Sequence, residues 1–251
     1  TTAGNVTAVG YNALGSNTTG TQNTAVGSLA LDANTTGAYN TALGYEALTS
    51  NTTAIVSTAI GWCALMSNTT GAQNTAVGAN CMQFNTTGSS NIAMGRQALQ
   101  ANTTGSNNTA LGFTALISNT TANNNTAVGY NSLFANTTGT RNVAVGSTAL
   151  DANTTANDNT AIGNNSLGLN STGSLNTAVG SDALKSNTTG TSLTGIGYEA
   201  LRENTTASNN TAVGRSALLG NTTGNNNTGL GHLALVSNTT GHSNVAVGAY
   251  A

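Results

Sequence analysis

The residues of this chain that are able to do chemistry are few and scattered. The acids are Asp32, Glu46, Asp151, Asp158, Asp182, Glu199 and Glu203, and the histidines are His232 and His242. Neither histidine has a carboxylate or cysteine at ligand spacing, so the sequence holds no metal site, no nucleophile–base set and no cofactor-binding motif. Cys81 takes the place of a small alanine and reads as a core residue. Cys63 lies one column away in the preceding copy of the repeat, so a disulfide between them stays open as an alternative. The commonest chemical pattern is N-T-T, an acceptor motif for N-linked sugar. It recurs at Asn17, Asn34, Asn51, Asn68, Asn85, Asn102, Asn119, Asn136, Asn153, Asn187, Asn204, Asn221 and Asn238, and at Asn170 with Ser171 as the next residue. Spacing this regular favours a structural role: asparagines stacked amide to amide along a ladder.

That regularity belongs to the whole chain. A glycine recurs every 17 residues from Gly10 to Gly248 without insertion or deletion, inside the unit N-T-A-V-G-x-x-A-L-x-x-N-T-T-G-x-x. A short fixed period means stacked units that bury one continuous core, since no single copy can bury its own apolar face. Seventeen residues with two glycines leave no room for a helix of useful length. T-A-V alternates and is β-branched, which predicts a strand; A-L-x-x predicts a second strand, with G-x-x and N-T-T-G-x-x as turns. The expected fold is all-β: a parallel β-solenoid of about 15 coils with two short strands per coil. It forms a single domain over 1–251, read as a segment of a longer fibre.

Comparing the copies column by column assigns environments. The residue before the glycine is always aliphatic (Val26, Leu43, Ile60, Val77, Met94), and Leu31, Leu48, Leu65 and Met82 share a second column; both are expected in the core. The column between Thr and Val holds Ala25, Ala42, Ala59, Ala76, Ala93, Ala110, Ala127, Ala144, Ala161 and Ala178, and becomes glycine at Gly195 and Gly229. With Val inside, alternation places this alanine outside. An outward column that never exceeds a methyl group implies close packing against another chain, so these alanines form the candidate chain–chain interface. A tight bend that turned them inward is the alternative. Tyr45, Trp62, Phe113 and Tyr130 follow the glycine and are the candidate surface aromatics. They suit stacking on a sugar or receptor, or simple ladder stacking that stabilises the coils.

Composition narrows the function classes. Charged residues make up 5% of the chain, against roughly 25% in ordinary soluble domains. With a net charge of −2 there is no basic footprint for nucleic acid and no polybasic patch for a membrane, and no apolar run is long enough to span one. The wealth of Thr, Asn and Gly points to an extracellular location.

The N-T-A-V-G element resembles the S-V-A-I-G core of the head repeats of trimeric autotransporter adhesins. The full unit is also similar to repeats of bacterial and phage tail-fibre-type proteins. The resemblance implies a parallel β-roll, left-handed and homotrimeric, used as an adhesive or structural fibre. It places the chain at a cell surface or on a phage particle. Its partners are then copies of itself, with a glycan or matrix ligand; no enzyme activity is expected. Two other readings remain: an ice-binding solenoid with one flat open threonine face, and a secreted, glycosylated head-to-tail filament.

Overall fold

The computed structural model describes residues 3–251; residues 1 and 2 of the expected domain lie outside the described residues. The chain falls into two compact units, Thr1–Asn124 and Asn125–Ala251. The first contains β1 (Thr7–Val9), β2 (Thr24–Val26), β3 (Thr41–Leu43), β4 (Thr58–Ile60), β5 (Thr75–Val77), β6 (Ile92–Met94) and β7 (Thr109–Leu111). The second contains β8 (Thr126–Val128), β9 (Val143–Val145), β10 (Thr160–Ile162), β11 (Thr177–Val179), β12 (Thr194–Ile196), β13 (Thr211–Val213), β14 (Thr228–Leu230) and β15 (Val245–Val247). Within each unit the strands pair in parallel in chain order. The register is unslipped, so Ala25 stands against Ala42 and Ala161 against Ala178. This is an all-β parallel solenoid with one coil per 17 residues and no helix among the described residues.

One expectation fails: each coil has a single strand. The A-L segment, predicted as the second, is a turn region because its leucine and the residue just before its alanine take the left-handed conformation. In the third coil these are Glu46 (φ 53°) and Leu48 (φ 52°), and Val56 (φ 57°) adds a further left-handed corner. Such a conformation costs a non-glycine residue about 1 kcal/mol. The segment still pairs coil to coil: Glu46 N–H donates to Ser28 O at 3.0 Å, and Leu48 N–H to Ala64 O at 3.0 Å. These bonds hold the dihedral angles against their intrinsic preference.

The phase of the strand is also the reverse of that expected. Ala25, Ala42, Ala59, Ala76, Ala93, Ala110, Ala127, Ala144, Ala161 and Ala178 are all 0% exposed within the single chain, so this column is not the outer face and cannot be a chain–chain interface. What packs closely against it is the coil's own leucine. At Gly195, which stands in the alanine column, a methyl group would lie 3.1 Å from Leu184 Cγ; at Gly229 it would lie 3.2 Å from Leu218 Cγ. The interior is too thin for leucine on one wall and valine on the other. Leu31, Leu48, Leu65 and Met82 are fully buried, as expected, whereas the aliphatic column before the glycine points outward with the threonines. Leu43 is 46% exposed and Met94 48%.

The invariant glycine is fixed by two constraints together. Its φ lies between 131° and 142° in all fifteen copies, a region side-chain-bearing residues rarely enter. A Cβ on Gly78 would also sit 2.6 Å from Gly95 O in the next coil. A Cβ on the second glycine of the repeat, as at Gly105, would likewise crowd Ala122 O and Asn102 Oδ1, but that glycine has no such φ, and Ala54, Ala122, Ala156 and Ala207 take its place in other coils; φ is what sets the two glycines apart. Gly78→Ala is therefore expected to lose about 2 kcal/mol or more. Gly105→Ala is expected to lose less than about 1 kcal/mol, because four coils already accommodate the methyl. Urea unfolding followed by circular dichroism compares the two; equal losses would refute this account of the 17-residue glycine.

Candidate functional site

The asparagines of N-T-T lie inside the coil and form a ladder. Asn85 shows the pattern. Its Nδ2 donates to Asn68 Oδ1 at 2.8 Å and to Gly88 O at 2.9 Å, and its Oδ1 accepts from Asn102 Nδ2 at 2.7 Å. The first bond joins coils and the second closes the turn of its own coil. The pattern recurs in both units, as at Asn34, Asn153 and Asn187. Asn34, Asn51, Asn68, Asn85, Asn102, Asn119, Asn136, Asn153, Asn170, Asn187, Asn204 and Asn221 are fully buried; Asn17 and Asn238, near the two ends, are half-buried. A glycan needs the same Nδ2 and an open approach to it, so the buried N-T-T amides of the folded protein are not sugar acceptors.

A second asparagine ladder was missed by sequence reasoning. It consists of the asparagine that opens N-T-A-V-G. Asn74 Nδ2 donates to Gly88 O at 2.7 Å, the same carbonyl that Asn85 caps, and Asn91 N–H donates to Asn74 Oδ1 at 3.0 Å. The column also admits Ser57, whose backbone N–H still donates to Asn40 Oδ1, and Leu193, whose N–H donates to Asn176 Oδ1. Its near-constancy along the sequence was the available signal. Both ladders converge on one carbonyl per coil, and so lock the corner between the N-T-T turn and the strand.

What the coil presents to a partner lies elsewhere. The outer face of the strands carries one file of threonine and one of aliphatic side chains. The N-T-T turn adds a third file. Its first threonine is half-buried, with Thr35 Oγ1 donating to Thr52 O at 3.1 Å, while the second, as at Thr36, is exposed. The candidate aromatics are exposed: Tyr45 45%, Trp62 53%, Phe113 41% and Tyr130 52%. Arg96 sits over the Phe113 ring, 5.7 Å from its centre.

The other reactive groups are tied down. Cys63 is buried; its thiol donates to Glu46 Oε2 at 3.6 Å, and burial followed by that bond pushes its pKa up to about 11. Cys81 donates to Ala93 O at 3.2 Å, and burial pushes its pKa up to about 12. The two are free thiols, not a disulfide. Asp158 is held below the usual carboxylate range by its bond to Arg141, 2.6 Å away. His242 Nδ1 accepts from Asn225 N–H, and His232 meets the edge of Tyr250. No cluster of three His, Cys, Asp or Glu side chains is assembled among the described residues.

Removing one rung tests the ladder. Asn85→Ala strips Asn68 Oδ1 and Asn102 Nδ2 of a partner, and should cost about 2–4 kcal/mol in chemical unfolding; a loss under about 0.5 kcal/mol would mean the buried amides carry no stability. The thiols supply a second test. Both have folded pKa values raised above the ordinary value of 9.0, so the unfolded thiols ionise first. Stability should then be complete below pH 9 and fall as pH rises toward about 11. At pH 8 a thiol reagent should react with neither cysteine until denaturant is added; rapid labelling of the native protein would contradict the burial described here. The chain matches no known family model, no curated protein and no solved structure.

Proposed function

We propose that this chain is a segment of a structural and adhesive fibre, displayed outside the cell or on a phage particle, that associates with copies of itself and catalyses no reaction. The observation that carries the reading is the outer strand face. Ordinary outer strand positions are polar, yet here Leu43, Ile92, Met94 and Ile162 are between 41% and 48% exposed, in one or other of two adjacent files. Exposed apolar surface that recurs in register marks a contact face. A second copy with the same repeat supplies a matching face at the same spacing. The resemblance to trimeric adhesin heads supports three copies. Hydroxyls and amides on the remaining files, repeated once per coil, favour weak multivalent contact with a glycan or matrix, where avidity compensates for modest single-site affinity.

The same face gives the ice-binding reading a specific basis, because a threonine file runs beside an aliphatic file. Ordered water needs a level surface, and the aliphatic file varies from Val77 to Met94 to Leu111. Interdigitation with another chain accommodates such variation better, so association is preferred. The glycosylated-filament reading loses its buried N-T-T acceptors to the asparagine ladder, and keeps only exposed N-x-T asparagines such as Asn107 and Asn209.

Light scattering after size exclusion tests the proposal. A species near three times 24.7 kDa is expected, and the double change Ile60→Lys and Ile162→Lys on the outer face should return it to 24.7 kDa with its circular dichroism unchanged. A wild-type chain that runs as a monomer would overturn association, and thermal hysteresis in that monomer would establish the ice-binding reading in its place.

A further inference from the structure

We propose that Tyr45, Glu46 and Trp62 form a binding platform for neutral pyranose oligosaccharides. This deepens the adhesive part of the reading above and rests on it. The two rings occupy the same column of adjacent coils. Their strands β3 and β4 pair in register, Leu43 against Ile60, and the glycines that launch them have matching φ values of 139° and 136°. The two residues therefore stand on equivalent backbone, one strand spacing of about 4.8 Å apart between their main chains. Each keeps about half of its surface open, Tyr45 at 45% and Trp62 at 53%. A ring pair whose only task was to brace the coils would bury more of itself.

Beside the rings stands a carboxylate held in place. Glu46 accepts the Cys63 thiol at 3.6 Å from the next coil, and the nearby Glu46 carboxylate raises the pKa of the Tyr45 phenol. Asp182 and Glu199 occupy the same column of later coils, but each lies 3.3 Å from a cation, Lys185 and Arg202 respectively. Among the described residues Glu46 has no cation in an ion pair with it and accepts a thiol instead, so its remaining acceptor capacity is open to ligand hydroxyls. The C–H face of a pyranose stacks on an electron-rich ring, and its hydroxyls donate to a carboxylate. Charge selects among sugars. No lysine or arginine precedes Arg96 in the sequence; Arg96 stands in the same column two coils beyond Trp62, over the Phe113 ring, so the two coils of the platform carry a carboxylate and no cation of their own. Sulfated and uronic-acid chains are repelled, and neutral ones are accepted.

Trp62 is the single tryptophan of the chain, so its fluorescence reports on the platform directly. The wild-type protein is titrated with cellohexaose, mannohexaose and chitohexaose, with heparin as the polyanionic control. A saturable change in Trp62 emission with at least one neutral oligosaccharide, and none with heparin, is expected. Because Trp62→Ala removes the reporter, the variants are compared by calorimetry: Trp62→Ala and Tyr45→Ala should each weaken binding at least about tenfold, and Glu46→Gln about threefold to tenfold. Circular dichroism and solution mass of every variant confirm that fold and assembly persist. No response to any of the three neutral sugars, or a response to heparin alone, overturns the proposal. A trimer with a silent platform leaves the fibre reading standing, whereas a monomer whose Trp62 responds to neutral sugar sinks association and keeps the platform.

Discussion

The width of a 17-residue coil governs everything else in this protein. A closed turn of that length encloses a thin interior, and leucine from one wall nearly fills it. The facing wall then has room for nothing larger than Ala25 or Ala42, and the corners take asparagine. Larger apolar residues are displaced to the outer face even though they are the more hydrophobic. The usual expectation that the bulkiest apolar residue is buried fails here for a geometric reason: burial is limited by volume before it is limited by affinity for the core.

A thin interior also means a small hydrophobic contribution per coil, so hydrogen bonds carry an unusual share of the specificity. Each coil passes backbone N–H groups to the next along the strand, the A-L segment and the N-T-T turn, where Thr52 O accepts from Thr35 N and Thr36 N at 2.9 and 3.2 Å. Buried amides would be costly if unpaired. Stacking identical coils solves this, because the acceptor that Asn85 needs is the one Asn68 offers. The period therefore cannot drift: one inserted residue would break every ladder at that level. The left-handed corners at Glu46, Leu48 and Val56 persist for the same reason, being held by bonds to coils on either side.

Much of this was legible in the sequence. The period, the parallel register, the leucine column and the N-T-T asparagine ladder all followed from repetition alone. The strand's phase did not. Three residues of alternation cannot tell inside from outside, and the decision rested on the size of Val against Ala. The restriction to alanine was read correctly as close packing, but the packing partner was sought outside, when Leu184 lies across the interior from residue 195. The missing second strand could not be anticipated either, because left-handed leucines have no compositional signature; only glycine and asparagine advertise that conformation. Of the candidate contact surface, the aromatics were visible as departures from the consensus. The contact of Glu46 with Cys63 was hidden, since the thiol lies 17 residues away and only the coil brings the two together.

The inversion of the strand changes what such a repeat can evolve to do. With valine inside, the outer face would be free to vary, and contact surfaces would arise one residue at a time. With alanine and leucine inside, the outer face inherits whichever β-branched or long aliphatic residue best supports the strand, and it inherits it in every coil at once. Each repeat copy added to the chain lengthens the apolar file by one strand spacing without any new design. A lone chain thus accumulates exposed apolar surface in proportion to its length, and covering that surface with further copies of the chain relieves the cost in the same proportion. On the proposed self-association, assembly and elongation would be coupled by the repeat itself. The columns outside the file, such as the one that carries Tyr45 and Trp62, are left free to acquire binding specificity independently.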